Sequence, residues 1–213
     1  MIGSDPKDDL RIHLQDARDT LLWKLEGLSE YDIRRPMTPT GTNLLGLVKH
    51  MTGAEAVYLG DTYDRPFGGP PPPWVPGSDA EPDSDLWATA DETREEIVGR
   101  YRRVWAHSDA TIDALALDAL GRLPGDMRKE MRKTVTLHRT LVHVITETDR
   151  HAGHADIIRE LIDGAVGHRP GNDDMASGDA ASREERRLRL ERAAQEADAV
   201  RLGGVRQPRA AAD

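Results

Sequence analysis

A proline-rich segment between residues 64 and 82 is the feature that most restricts what this chain can fold into. It reads DRPFGGPPPPWVPGSDAEP, and its prolines exclude regular helix and favour extended polyproline geometry. Apolar residues at helical spacing precede and follow it. Because such a connection can cross the length of a helical bundle, the helices on either side of it are predicted to run parallel.

Four helices are predicted from apolar residues that recur with the period of an α-helix. They cover about residues 6–28, 43–62, 85 or 90 to 118, and 131–163. Aromatic residues make up only 4% of the chain, which suits helices packed through aliphatic side chains better than an aromatic-rich sandwich. No strand pattern of any length competes, so the chain is predicted to be an all-α four-helix bundle with one long crossover.

A charged C-terminal extension, residues 166–213, is predicted to follow the bundle domain at residues 6–165. Its segment REERRLRLERAAQEADAVRL has high helix propensity, and the closing GGVRQPRAAAD is predicted to be disordered. Two interpretations of the helix stay open. It is either a solvated or loosely docked helix with alternating charge, or a helix that binds a partner or bridges a homodimer.

Charge and composition exclude several classes of partner. The formal net charge is −9, so no global positive field would draw the protein to nucleic acid. The first residues lack a signal sequence, and no stretch approaches the roughly 18 to 20 apolar residues that span a bilayer, so a cytoplasmic protein without membrane contact is expected. Most of the 29 basic residues are arginine, a bias typical of GC-rich coding that indicates a bacterial source.

The chain has no cysteine, which removes disulfides, thiolate metal ligands and a cysteine nucleophile together. A metal, if one is bound, must therefore be held by nitrogen and oxygen atoms. A thiol, if one reacts here, must come from a cosubstrate.

Polar residues interrupt the apolar stripe of the fourth predicted helix. At about 100° per residue, Glu147 and His151 fall on the same side as Val144 and Ile158. A buried carboxylate without a partner is costly, and a residue four positions later is its neighbour in space. Glu147 and His151 are therefore predicted to form either a plain hydrogen bond or two ligands of one metal ion.

His50 borders the inward stripe of the second predicted helix, so two helices offer His, Glu and His toward the interior. Metal sites in bundles are commonly built from side chains on facing helices. These donors fill three positions of a zinc ion and leave one for water or substrate, and they also suit iron or nickel. The alternative is a buried Glu147–His151 pair beside a core histidine.

Two segments of the sequence resemble the DinB-like superfamily of metal-binding four-helix bundles. They are NLLGLVKHMTGAEAVYLGD and LVHVITETDRHAGHADIIRELIDG, and the resemblance covers about residues 8–165. In that superfamily a histidine on the second helix and two ligands one turn apart on the fourth helix bind a divalent metal. Glu147 stands where the first of those two ligands is usually histidine, which resembles the mycothiol-dependent maleylpyruvate isomerases. The resemblance implies an up-down-down-up bundle with His50, Glu147 and His151 as ligands.

Two functions of different class are compatible with this resemblance. The first is an enzyme, namely a transferase, an isomerase or a hydrolase. A divalent metal, with zinc expected before nickel or iron, would lower the pKa of a bound water or of a low-molecular-weight thiol such as mycothiol or bacillithiol. That nucleophile would attack a small electrophile, with His154 moving a proton or orienting a ligand, unless His154 is only a half-exposed packing residue. The second is a non-catalytic, metal-stabilised bundle that acts in assembly or stress response.

Trp74, in the proline-rich segment, is predicted to hold the crossover to the bundle rather than to cover the metal site as a lid.

Overall fold

The computed structural model describes residues 5–124, 134–171 and 178–203. Six α-helices lie in these ranges, none of them both long and apolar enough to cross a membrane. Their bounds are Pro6–Trp23 (α1), Glu30–Arg34 (α2), Leu44–Leu59 (α3), Arg94–Ala114 (α4), Leu137–Asp163 (α5) and Ala180–Gly203 (α6). The predicted all-α class is confirmed.

The four long helices of the bundle begin at residues whose side chains cap them. Asp5, Asn43, Thr93 and Thr136 precede α1, α3, α4 and α5, and each side-chain oxygen accepts a hydrogen bond from a backbone N–H of the first turn. Thr93 also forms a capping box with Glu96. Such caps satisfy N–H groups that have no partner within the helix, which is why the helices begin at these positions.

Two core clusters define how the helices run. The first joins the end of α1, the start of α3, the start of α4 and the end of α5, through Leu21, Leu44, Ile97 and Ile158. The second joins the first half of α1, the end of α3, the end of α4 and the start of α5, through Leu14, Leu59, Ile112 and Leu141. Helices α1 and α5 therefore run parallel, and α3 and α4 run opposite to them. This is the up-down-down-up arrangement that the resemblance implied.

Helix α1 ends at Trp23, earlier than the predicted end near residue 28. The buried guanidinium of Arg159 in α5 donates from Nη1 to the carbonyl oxygens of Lys24 and Glu26, at 3.0 and 2.8 Å. These donors satisfy carbonyl groups that a helix leaves without partners at its C-terminal end. The chain then turns into the short helix α2, which Ser29 caps.

A small antiparallel sheet precedes α5, although the sequence predicted helix from about residue 131. Strand β1, Leu120–Arg122, pairs with strand β2, Thr134–Thr136, so that Gly121 faces Val135. The helix begins only at Leu137, where Thr136 caps it. Three-residue strands carry too little alternation to be read from sequence, which explains the wrong prediction. Residues 131–133 of the predicted helix lie outside the described residues.

The chain divides into two compact units, residues 1–173 and 174–213. The second unit contains α6, which lies where a C-terminal helix was predicted. Asp179 Oδ1 accepts from Ser182 N at 2.9 Å at its first turn. Of the tail predicted to be disordered, residues 203–213, Gly203 is the last residue of α6 and residues 204–213 lie outside the described residues. The domain boundary at residue 165 stays a prediction.

The crossover between α3 and α4 is fastened to the first turn of α3. Asn43 accepts from Gly46 N through Oδ1 at 2.8 Å, and its Nδ2 donates to the carbonyl oxygen of Leu86 at 3.1 Å. A Cβ atom on Gly46 would lie 1.8 Å from that same oxygen. Glycine is therefore required here for the close approach of two backbone segments.

Gly46→Ala is expected to lower the free energy of unfolding by about 1 to 3 kcal/mol, because the crossover must move away from α3. Gly153→Ala is the matched control, since no atom lies within 4 Å of its added Cβ. Because Gly153 lies in the middle of α5, Gly153→Ala is expected to raise the free energy of unfolding by roughly 0.5 to 1 kcal/mol. Urea denaturation followed by helical circular dichroism measures both changes. Equal stability of the two variants would contradict the close approach.

Candidate metal centre

The bundle brings together His50 from α3 and Glu147 and His151 from α5. One ligand atom from each residue lies within 4.8 Å of the other two. His151 Nε2 is 3.2 Å from Glu147 Oε1, and the ring centroids of His50 and His151 are 4.9 Å apart. These are the three residues that the helical periodicity and the resemblance selected.

The three side chains lie on the facing helices α3 and α5 and are partly exposed rather than fully buried in the core. Exposed fractions are 15% for the side chain of His50, 14% for His151 and 31% for Glu147. Neighbours such as Met51 and Val144 are fully buried. The sequence placed Glu147 inside the apolar stripe, whereas the structure places it at the partly exposed margin of that stripe.

His50 forms a hydrogen bond with Asp85, a residue of the crossover. Its Nδ1 lies 2.7 Å from Asp85 Oδ2, and Trp74 Nε1 donates to the same oxygen at 3.0 Å. Burial raises the pKa of Asp85, but the hydrogen bonds from His50 and Trp74 outweigh it and hold that pKa below the usual range. Asp85 is thus a carboxylate, and the sequence prediction did not include it.

Trp74 joins the crossover to the aromatic side chains around the centre. Its ring stacks on Tyr58 with centroids 6.2 Å apart and lies 6.3 Å from the His50 ring. Tyr58 in turn meets His143 edge to face at 4.4 Å. These contacts, with the hydrogen bond to Asp85, agree with the predicted role of Trp74 in holding the crossover to the bundle.

His151 is neutral at physiological pH. Burial, helped by the neighbouring His50, lowers its pKa to about 4 despite the opposing charge of Glu147. Neutral imidazole is the form that binds a metal. His154 lies on the far side of the His151 ring, with the two Nδ1 atoms 3.4 Å apart, and it is exposed. It does not belong to the group of ligand atoms.

The donor set fits a divalent metal ion. Two ligand atoms at about 2.0 to 2.2 Å from a tetrahedral ion lie roughly 3.4 Å apart, close to the 3.2 Å between His151 Nε2 and Glu147 Oε1. Among the residues that the structure describes, no fourth histidine, aspartate or glutamate joins the group. Three protein ligands with an open position are characteristic of catalytic rather than structural zinc sites.

A cavity of about 510 Å³ lies beside the centre, between α3, the proline-rich segment and α4. Its lining includes Gly53, Val57, Pro72 and Ile97, and none of the three candidate ligands. Asp85 contributes to the lining and also contacts His50. The cavity is therefore separate from the candidate metal centre, and Asp85 is the residue that contacts both.

Comparison with known proteins agrees with this fold. A crystal structure of a conserved protein from Enterococcus faecalis superposes with a TM-score of 0.57 at 14% identity, covering 76% of this chain and 100% of that one. At this identity the likeness shows the fold alone. No curated protein matches the chain.

A family model described as mycothiol S-transferase matches residues 9–164. The match covers both segments that carry the DinB-like resemblance and every candidate metal ligand. The predicted resemblance is therefore confirmed, and a transferase that uses a thiol is the type of function that the match suggests. Because the match spans well over half of its length, the chain belongs to the mycothiol S-transferase family, a DinB-like family.

Proposed function

We propose that this protein is a metal-dependent S-transferase that joins a low-molecular-weight thiol to a small electrophile. The observation that carries the proposal is the group formed by His50, Glu147 and His151, whose ligand atoms lie within 4.8 Å of one another without a fourth side chain among the described residues. Membership of the mycothiol S-transferase family supports the reaction type.

In this proposal the two histidines and the glutamate hold a zinc ion, with nickel and iron as the other metals that this donor set suits. A bound divalent ion supplies Lewis acidity, which lowers the pKa of a coordinating thiol. The thiol belongs to a cosubstrate of the mycothiol or bacillithiol type, because the chain has no cysteine. The sulfur forms a bond to the electrophilic carbon, the leaving group departs with its electron pair, and the thiol proton passes to solvent.

His154 acts in this proposal by orienting a ligand. Its Nδ1 lies 3.4 Å from His151 Nδ1, whereas Glu147 lies on the Nε2 side of the same ring. A hydrogen bond between the two Nδ1 atoms leaves Nε2 of His151 as the atom that faces Glu147. Proton transfer by His154 is the alternative role, and its exposure is compatible with either.

A thiol-transfer assay tests the proposed function. Protein loaded with zinc, nickel or iron is mixed with mycothiol, bacillithiol or glutathione and with a panel of chlorinated aromatic and epoxide electrophiles. We expect turnover that requires both the metal and a thiol, fastest with mycothiol, with thioether product detected by mass spectrometry. Protein stripped of metal is the control. Product formation no faster than this control with every thiol would support a non-catalytic, metal-stabilised bundle instead.

A further inference from the structure

One oxygen of Asp85 accepts two hydrogen bonds from aromatic N–H groups. His50 Nδ1 lies 2.7 Å from Oδ2 and Trp74 Nε1 lies 3.0 Å from it. Asp85 is 8% exposed, so water does not compete effectively for this oxygen. The contact joins residues 35 positions apart in the chain, which makes it a tertiary feature and not a consequence of local helix geometry.

The contact decides which nitrogen of His50 is available to a metal. A carboxylate only accepts hydrogen bonds, so Nδ1 of His50 must carry the proton. Nε2 is then left with its lone pair, and the ring cannot rotate without breaking the bond to Asp85. A carboxylate behind a ligating histidine fixes its tautomer and orientation and makes it a stronger ligand.

Asp85 is itself held in place from two directions. Trp74 donates to it while stacking on Tyr58. On the other side, the next residue, Leu86, donates from its backbone N–H to Asp83 O at 2.9 Å and accepts from Asn43 at 3.1 Å. The proline-rich crossover therefore presents Asp85 to His50 as a fixed group.

We propose that Asp85 is the positioning residue for His50 as a metal ligand, and that Trp74 fixes Asp85 for that role. The inference rests on the metal centre proposed above. The crossover then has a function beyond connecting α3 to α4. Its residues Trp74 and Asp85 fix the tautomer and the ring orientation of His50, a proposed ligand on α3.

Metal affinity measured by competition with a chelator tests the inference on the full-length protein. Asp85→Ala is expected to weaken zinc binding about 10- to 100-fold. Asp85→Asn keeps the shape and removes the charge, so a smaller loss is expected. Trp74→Phe keeps an aromatic ring but removes the indole N–H donor, so its loss is also expected to be smaller. Glu92→Gln is the matched control, a crossover carboxylate whose partner is Lys49 at 2.8 Å and not His50. It is expected to keep wild-type affinity.

A spectroscopic measurement separates positioning from a general loss of structure. In metal-free wild-type protein at neutral pH, ring ¹⁵N shifts are expected to show His50 with its proton on Nδ1, whereas Asp85→Ala shifts the proton toward Nε2. Wild-type zinc affinity in Asp85→Asn, together with wild-type affinity in Asp85→Ala where that variant folds, would overturn the inference.

The parent proposal is checked separately with His50→Ala. If His50→Ala loses zinc while the Asp85 variants keep it, only the inference fails. If His50→Ala keeps zinc, both the ligand assignment and the inference fail. Loss in His50→Ala with a graded loss across the Asp85 and Trp74 variants supports both.

Discussion

Replacing His151 with alanine is expected to remove stoichiometric metal from the purified protein, because it deletes one of the three proposed ligands. Structural zinc sites contribute about 10 to 16 kcal/mol of binding free energy. Shared among three side chains, the lower figure gives about 3 kcal/mol for each, which is roughly 150-fold in Kd. His50→Ala is expected to lose as much, although it lies on a different helix. Elemental analysis and chelator competition measure both variants.

His138→Ala is the matched control for this loss. His138 is an exposed histidine on the same helix, α5, at the end away from the centre, and the variant is expected to keep its full metal content. The melting temperature provides a second readout, because a ligand that binds only the folded state raises it. Added zinc is expected to raise the melting temperature of wild type and of His138→Ala, and not that of His151→Ala. Full metal in both His50→Ala and His151→Ala would show that the ligands are other residues.

The candidate ligands were predictable because their positions depend on local periodicity. Glu147 and His151 are four residues apart on one long helix, so their common side follows from helix geometry without knowledge of the fold. Placing His50 opposite them required only that α3 and α5 face each other, which the bundle topology provides. Periodicity did not resolve how deeply each side chain is buried, because a helical wheel separates inward from outward residues and does not separate fully buried from partly exposed ones.

Asp85 was not predictable in this way. It lies in a segment that contains Asp79, Glu81, Asp83 and Asp85, and nothing in their order indicates which of them reaches His50. The choice depends on the path of the crossover, which is set by tertiary contacts such as the approach of Leu86 to Gly46. Propensity and pattern describe segments with a repeat, and this one has none.

A buried ion pair in the centre of the bundle did leave a signal in the sequence. Arg18 follows Leu14 by one helical turn, and Glu55 follows Met51 by one turn, so each charge continues the apolar stripe of its helix. In the structure Arg18 donates from Nε and Nη2 to the two oxygens of Glu55, and both side chains are almost fully buried. Two opposite charges, each on the inward stripe of its helix, indicate that the two side chains pair with each other. This pairing was not among the sequence predictions.

Glu55→Leu is expected to lower the free energy of unfolding by about 3 to 5 kcal/mol, because it leaves the Arg18 guanidinium buried without its main partner. A guanidinium is not deprotonated in proteins, so Arg18 keeps its charge in this variant and cannot lose its proton to relieve the cost of burial. Asp109, 2.9 Å from Nη1 and 35% exposed, remains as a weaker partner. Urea denaturation followed by circular dichroism measures the change.

The double variant Arg18→Met/Glu55→Leu distinguishes a lost pair from a damaged core. Replacing both charges with apolar groups removes the desolvation cost together with the attraction, and such replacements are often neutral or stabilising. The double variant is therefore expected to be more stable than Glu55→Leu alone. The exposed pair Arg11–Asp113, at 2.6 Å, is the control, and Asp113→Ala is expected to cost at most about 1 kcal/mol. A double variant less stable than Glu55→Leu would mean that Arg18 stabilises the bundle by packing, independently of the charge on Glu55.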